Sequence, residues 1–330
     1  MSEIIRKPRV GFLGTGWIGR HRMEAALATG MIEATALCDP SPECAAEASK
    51  LAPDAKVLLS FEAMLDEDLD GIVIATPSAL HAQQSIAALK RGFAVFCQKP
   101  LGRDAAEAEA VVRAAQTADR LLSVDFSYRF TEGAQAISRL VRGGDLGQVF
   151  AADLVFHNAY GPDKLWFYDK AQSGGGCVMD LGVHLVDLLL WLLDFPDVAD
   201  VSSTLLAGGA PASADSVEDF ATAQITLANG VVARLACSWR LQAGQEAVIE
   251  ASLYGTDGGA SLHNVGGSFY DFEARRFKGT SSETLVSPPD AWGGRAAADW
   301  AERLAQDRSF DPAAERLVDV AKVLDRIYGN

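Results

Sequence analysis

The chain has 330 residues, 49% of them hydrophobic and 22% charged, with 29 basic against 44 acidic side chains for a net charge of −15. At about 150 residues per domain this length gives about two domains, with enough apolar surface to fold without a disulfide or metal staple. The acidic excess excludes a protein built to neutralise a run of phosphates or an anionic membrane surface, so neither nucleic acid nor membrane is expected as a partner.

The segment from Met1 to Val10 carries Glu3, Arg6, Lys7 and Arg9 and runs straight into a strand-like stretch, so no secretory leader is expected. No run reaches the ~18 uninterrupted apolar residues of a membrane span. Cys38, Cys44, Cys97, Cys177 and Cys237 are odd in number and show no C-x-x-C spacing. That argues against a disulfide framework or a metal site, and for a reducing, cytoplasmic location.

Short apolar runs alternate with helical patterns along the first 125 residues. Strands are expected at Val10–Leu13, Ala34–Cys38, Gly71–Ala75, Phe93–Cys97 and Leu121–Phe126. Helices are expected from the glycine-rich turn to Ala28 and over Ala45–Leu51, Leu80–Arg91 and Ala105–Ala118. This alternation implies βαβ units, and strands without polar alternation imply a parallel sheet covered on both faces. The second half changes character. One long apolar helix, Met179–Leu193, follows Gly174–Gly176. Alternating strands are then read at Val201–Leu206, Ala221–Leu227, Val231–Trp239 and Ala247–Tyr254, with Phe150–His157 before the helix and a hairpin turn at Asn229-Gly230. Ala207–Ser216 and Lys278–Arg295 read as loops, and Glu302–Tyr328 as a helical tail. The fold class is α/β: a doubly wound parallel sheet, then an α+β domain with an open, mostly antiparallel sheet. One face of that second sheet packs on helices, and the other is solvated or paired with a partner subunit. The domains divide as 1–127 and 128–330, which leaves open packing of the last helix back across the division.

Gly14-Thr15-Gly16-Trp17-Ile18-Gly19 has the G-x-G-x-x-G spacing, follows a strand and opens a helix. The glycines allow a tight turn and close approach of backbone N–H groups to a pyrophosphate at the helix N-terminus. Asp39 lies 20 residues after Gly19, at the end of the second strand, where a carboxylate accepts hydrogen bonds from an adenine-ribose diol. It repels a 2′-phosphate, and Pro40-Ser41 supplies no arginine to receive one, so NAD is favoured over NADP. Thr76, Pro77 and Ser78 end the strand Gly71–Ala75 and are placed to line the cofactor cleft, with His81 in the following helix. His81 reads either as part of that lining or as a surface helix residue.

Gln98-Lys99-Pro100 ends a buried strand, which aims Lys99 at the ligand crevice; the bland alternative is a lysine that snorkels to water. Asp180 and His184 are spaced i, i+4 on the apolar helix, and Asp187 extends their stripe. Three ionisable groups there fit either proton-transfer chemistry or local capping. Asp180 also suits the positive end of the helix. Arg129 follows the last strand of the first domain and either reaches cofactor or substrate or makes a surface salt bridge. His157, Tyr160, Trp166 and Tyr168 precede the glycine run and form either a sugar-stacking wall or packing for a loop. The loop holding Trp292 and Arg295 either closes over the site or meets a neighbouring subunit.

Taken in order, the fingerprint at 14–19, Thr76-Pro77 with His81, the Lys99-Pro100 pair, and Gly-Gly-Gly followed by Asp180-x-Gly-x-His184-x-x-Asp187 resemble the Gfo/Idh/MocA oxidoreductases, typified by glucose–fructose oxidoreductase and inositol dehydrogenase. The resemblance covers essentially the whole chain. It implies a Rossmann domain, a C-terminal α/β domain whose outer sheet face makes a homodimer or homotetramer, and NAD(P)-dependent oxidation or reduction of a sugar, inositol or related polyol. It also implies cofactor contacts from Gly14, Gly16, Trp17, Ile18, Gly19, Asp39, Thr76, Pro77, Ser78, His81, Gln98, Lys99 and Arg129. Substrate contacts are expected from Lys99, His157, Trp166, Tyr168, Asp180 and His184. In this reading His184 takes the hydroxyl proton, Lys99 stabilises charge on that oxygen and Asp180 fixes substrate or imidazole. The family's usual triplet is Glu-Lys-Pro. Gln98 departs from it and removes a neighbouring carboxylate, which is expected to make Lys99 easier to deprotonate. Two other readings share the fold: a redox-neutral NAD-dependent glycoside hydrolase and a non-catalytic nucleotide-sensing regulator.

Overall fold

The computed structural model describes residues 6–329. Glu3 and the rest of the first five residues, part of the leader expectation, lie outside the described residues. The chain divides into two units, the first comprising residues up to Gly102 with Ala106–Asp125 and Gly294–Val318. Arg103–Ala105, Phe126–Gly293 and the chain from Asp319 onward make the second.

In the first unit β1 (Arg9–Leu13), α1 (Trp17–Ala28), β2 (Glu33–Cys38), α2 (Pro42–Ser49), β3 (Lys56–Leu58), α3 (Phe61–Leu65), β4 (Gly71–Ile74), α4 (Ser78–Lys90), β5 (Ala94–Cys97), α5 (Ala105–Ala118) and β6 (Leu122–Val124) follow one another. The six strands lie in the order β3-β2-β1-β4-β5-β6 and every pairing is parallel. This is the expected doubly wound sheet. Every residue of β4 and β5 is buried, so their sequences show no polar alternation. The strand order reverses between β1 and β4, and ligands bind beyond the carboxyl ends of strands at such a point. Two elements were not expected. β3 is a three-residue edge strand with Lys56 and Val57 exposed, and α3 is one short turn capped by Ser60. Neither buries a periodic apolar face.

The second unit opens with a 3₁₀ turn (Ser127–Phe130), α6 (Glu132–Arg142) and β7 (Val149–Asn158). A 3₁₀ turn (Leu165–Tyr168), α7 (Lys170–Ser173), a π-helical turn (Val178–Gly182) and α8 (Val183–Leu192) come next. Then come β8 (Val198–Ala207), β9 (Ala210–Pro211), β10 (Phe220–Leu227), β11 (Val232–Ser238), β12 (Ala247–Gly255), β13 (Gly259–Asn264), β14 (Phe272–Lys278) and β15 (Ser281–Val286). The nine strands run β15-β14-β13-β12-β7-β11-β10-β8-β9, antiparallel except for β7 beside β11. Ala152, Leu154 and Phe156 of β7 and Ala233, Leu235 and Cys237 of β11 are buried in alternation, and α8 packs against β7. The opposite face carries Asp153 and Arg234, joined by hydrogen bonds of 2.6 and 2.7 Å.

Neither expected loop is free of strand, since Ala207–Ser216 contains β9. The loop expected over Lys278–Arg295 contains β15, hidden because Ser281-Ser282-Glu283-Thr284 form an exposed polar strand at the sheet edge. The helix expected from Met179 begins instead as the π turn Val178–Gly182. Lys170–Leu192 is the one helical stretch among the described residues long and apolar enough to cross a membrane, and 83% of its most apolar window is buried inside the protein.

The expected single tail over Glu302–Tyr328 is two helices, α9 (Arg295–Gln306) and α10 (Arg316–Tyr328), parted at Asp311-Pro312. α9 belongs to the first unit, not with 128–330. Trp300 is fully buried there, its ring 5.9 Å from Phe96 and so close to Gly71 that a Cβ at that position would lie 2.9 Å away.

Candidate active site

In the first unit the fingerprint forms a tight loop. Gly14 has φ +80°, and a Cβ there would lie 2.5 Å from the Ala75 carbonyl oxygen; one on Gly19 would lie 2.0 Å from the Gly14 oxygen. Nothing stands within 4 Å of where a Gly16 Cβ would be. Gly16 also begins α1, which has no side-chain cap and no acidic residue in its first turn. The open backbone and uncapped N–H groups suit an anion. Trp17 is exposed and stacks on His21 with ring centroids 5.9 Å apart, while Ile18 is half-buried. Asp39 Oδ2 accepts from Thr15 N at 2.6 Å and Oδ1 from Ser41 N at 2.8 Å, which ties the carboxylate at the end of β2 to the loop. This set fits a dinucleotide: Gly14, Gly16 and Gly19 would admit the pyrophosphate and Asp39 the ribose hydroxyls. Gly19→Ala is therefore expected to weaken NADH binding at least about tenfold and to cost about 1–3 kcal/mol of stability by overpacking, checked by fluorescence titration and denaturant unfolding.

Pro77 precedes the first turn of α4, Ser78 is buried, and Thr76 Oγ1 donates to Gln84 Oε1 at 2.6 Å. His81 is not the surface helix residue of the alternative reading. It is buried, with Nδ1 2.7 Å from the Pro100 oxygen and Nε2 2.7 Å from the Thr76 oxygen. Burial lowers its pKa, and the two carbonyls oppose that shift. The imidazole fastens the end of β4 to the turn after β5. Lys99, half-buried, precedes a cis peptide to Pro100. Gln98 Nε2 donates to Asp125 Oδ2 at 2.5 Å, so a carboxylate adjoins residue 98 although Gln98 carries none.

In the second unit every residue of Gly175–Leu190 is buried except Asp180 and His184. Asp180 lies in the π turn and accepts from Trp239 Nε1 at 3.1 Å. The His184 ring meets Tyr128 edge-on with centroids 4.9 Å apart, and Phe156 lies 6.3 Å away. π turns occur often at functional sites. The stripe's third member has another task. Asp187 is 1% exposed and forms a bidentate pair with Arg129, with Nε 3.0 Å from Oδ1 and 2.8 Å from Oδ2. The Arg129 guanidinium also lies over Phe126 at 5.2 Å and Phe195 at 5.3 Å. Arg129 does make the salt bridge of the alternative reading, but with a buried carboxylate and not at the surface.

The anion at the start of this helical stretch is Glu218, not Asp180. Its carboxylate accepts from Gly176 N and Val178 N at 2.9 Å and from Tyr328 Oη at 2.8 Å, and its carbonyl takes Cys177 N at 3.0 Å. A Cβ on Gly176 would lie 1.9 Å from that carbonyl oxygen, which is why the glycine run is required. Burial raises the Glu218 pKa against the pull of these donors.

His157 stands apart from His184. It follows Phe156, which faces His184, so strand alternation turns it to the opposite face of the sheet. There it bonds Ser238 Oγ at 2.8 Å and stacks on Phe220. Trp166 stacks on Phe167 at 3.8 Å; Phe167 and the exposed Tyr168 both meet Trp239 edge-on, and Tyr160 is exposed. Trp292 packs on Tyr128 at 5.0 Å. Trp239, Tyr128 and Glu218 were missed by sequence reasoning. The alternation of Val231–Trp239 does place Trp239 on the face of Cys237, and that signal was available.

Residues 8–126 match the model of an oxidoreductase family with an NAD-binding Rossmann fold, and residues 134–261 that of the GFO/IDH/MocA C-terminal domain. The chain is 28% identical to a D-apiose dehydrogenase of Paraburkholderia graminis over 88% of its length and 76% of that protein's. It is 26% identical to an inositol 2-dehydrogenase of Acidothermus cellulolyticus over 93% and 94% of the two chains. A levoglucosan dehydrogenase solved with NADH and levoglucosan shares the fold, with TM-score 0.84, 21% identity, and coverage of 98% of this chain and 97% of that one.

Proposed function

The chain belongs to the GFO/IDH/MocA oxidoreductase family, and on that premise we propose that it moves a hydride between a nicotinamide dinucleotide and a carbinol or carbonyl carbon of a sugar, inositol or related polyol. The observation that carries this reading is Asp180 and His184, the two side chains that open from an otherwise buried helical stretch. The nicotinamide, when bound, supplies the hydride acceptor for oxidation or the donor for reduction. Gly14, Gly16, Gly19 and Asp39 hold the dinucleotide. The Asp39 carboxylate opposes a 2′-phosphate and so favours NAD over NADP.

His184 takes the proton of the substrate hydroxyl on a ring nitrogen, a role contributing about 10²–10⁴-fold. Lys99 donates an N–H to that oxygen and stabilises the charge that builds on it. Asp180, steadied by the Trp239 N–H, holds a neighbouring hydroxyl. Trp166 and Tyr168 form the aromatic wall on which a sugar ring stacks. Cytoplasmic residence and a homodimer or homotetramer through the outer face of the nine-stranded sheet complete the proposal. The open Asp153–Arg234 face supports the latter.

A spectrophotometric screen of sugars, inositols and sugar acids with NAD and NADP in parallel tests the function. Reduced cofactor should accumulate with at least one polyol, faster with NAD. Dinucleotide binding without oxidation of any polyol, or reduction of any keto counterpart, sinks the reading.

A further inference from the structure

We propose that Asp125 and Gln98 act as one unit that positions Lys99, with Arg22 as its counter-charge. Asp125 follows β6 and is 1% exposed. Its N–H donates to the Cys97 carbonyl at 2.9 Å, which docks its backbone beside the residue that precedes Gln98. Its Oδ2 accepts from both Gln98 Nε2 and Arg22 Nε, each at 2.5 Å. Arg22 is itself buried, on the helix that opens with the fingerprint. Its Nη1 lies 2.7 Å from His21 Nδ1, and His21 stacks on Trp17. One carboxylate oxygen thus joins the end of β5, the end of β6 and the first turns of α1.

This explains the departure at residue 98. A glutamate there would press a second carboxylate onto a buried one, and two like charges in contact cannot both stay ionised. The glutamine amide supplies an N–H donor instead. The negative charge at this strand end therefore sits on Asp125, and Gln98 transmits its position to the adjoining Lys99. Asp125, Gln98 and Arg22 are positioning residues; the inference rests on Lys99 being the group that meets substrate.

The test compares Gln98→Glu, Asp125→Asn and the double variant, which exchanges acid and amide. Four readouts are taken: the labelling rate of the Lys99 amine by an acylating reagent, NADH affinity by fluorescence, the unfolding midpoint, and kcat and KM separately. Each single variant should change the Lys99 labelling rate and kcat about tenfold, and the double variant should lie closer to the parent than either single one. Additive effects, or a Gln98→Glu protein that matches the parent, overturn the proposal. Should Gln98→Glu not fold, recovery of a folded double variant supports the pair, and an unfolded double variant counts against it. If the parent turns over no substrate, the proposed function fails, while the labelling rates still decide whether the pair positions Lys99.

Discussion

His184→Ala is expected to lower kcat by about 10²–10⁴ while leaving NADH affinity within about twofold of the parent. The imidazole is the group assigned the substrate proton, and the residues assigned to the dinucleotide lie on the glycine loop and at the end of β2. Removing the ring also leaves a gap beside Tyr128, whose centroid is 4.9 Å away, so His184→Gln is the control that keeps volume without a base of the right strength. The two variants should lose turnover alike and differ in stability. Lys99→Ala should behave otherwise, raising KM and lowering kcat together, because the N–H proposed to hold the substrate oxygen acts in the ground state as well as in the transition state. Turnover by His184→Gln equal to the parent would assign the proton to another group.

The second large effect concerns the buried pair below the site. Arg129→Met should destabilise the protein at neutral pH by about 3–5 kcal/mol, because it strands a buried carboxylate without its cation. Methionine keeps the apolar stem but not the guanidinium over Phe126 and Phe195, so the pH dependence of the loss is the part that reports charge. Burial pushes Asp187 from 3.8 up to about 6 even with the Arg129 guanidinium pulling it down; without that cation it rises further. The sign follows from linkage. A carboxyl whose folded pKa exceeds its unfolded one is protonated in both states below pH about 4, and it costs stability as pH rises towards the folded value. The parent should therefore lose stability between pH about 4 and 6, and Arg129→Met should go on losing it at higher pH. Denaturant unfolding across this range checks the claim, and an Arg129→Met penalty that does not vary with pH contradicts it.

Much of this molecule was legible before its structure. The first unit was readable because a parallel sheet covered on both faces leaves unbroken apolar runs, and because Gly14, Gly19 and Asp39 each meet a geometric demand that few other side chains satisfy. Asp180 and His184 were readable as polar groups on an apolar helix. The rest depended on contacts distant in sequence. Nothing local marks Glu218 as the acceptor for three successive N–H groups at Gly176–Val178, or Arg129 as the partner of Asp187. The position of His81 in the sequence could not reveal its two backbone carbonyl partners at 2.7 Å. The aromatic composition of 157–168 groups His157 with a sugar wall, whereas strand alternation sets it on the face opposite Phe156. β15 escaped because an exposed edge strand has no apolar pattern.

The central claim, net hydride transfer at a carbinol carbon, is tested most directly with a polyol substrate from the screen carrying deuterium at each C–H in turn. The account predicts that one position, and only one, delivers its deuterium to the nicotinamide, with a matching carbonyl product released, and that His184→Gln slows the transfer by about 10²–10⁴. Product formed with the label back on its original carbon and no net reduction of the cofactor would contradict it and favour redox-neutral bond cleavage.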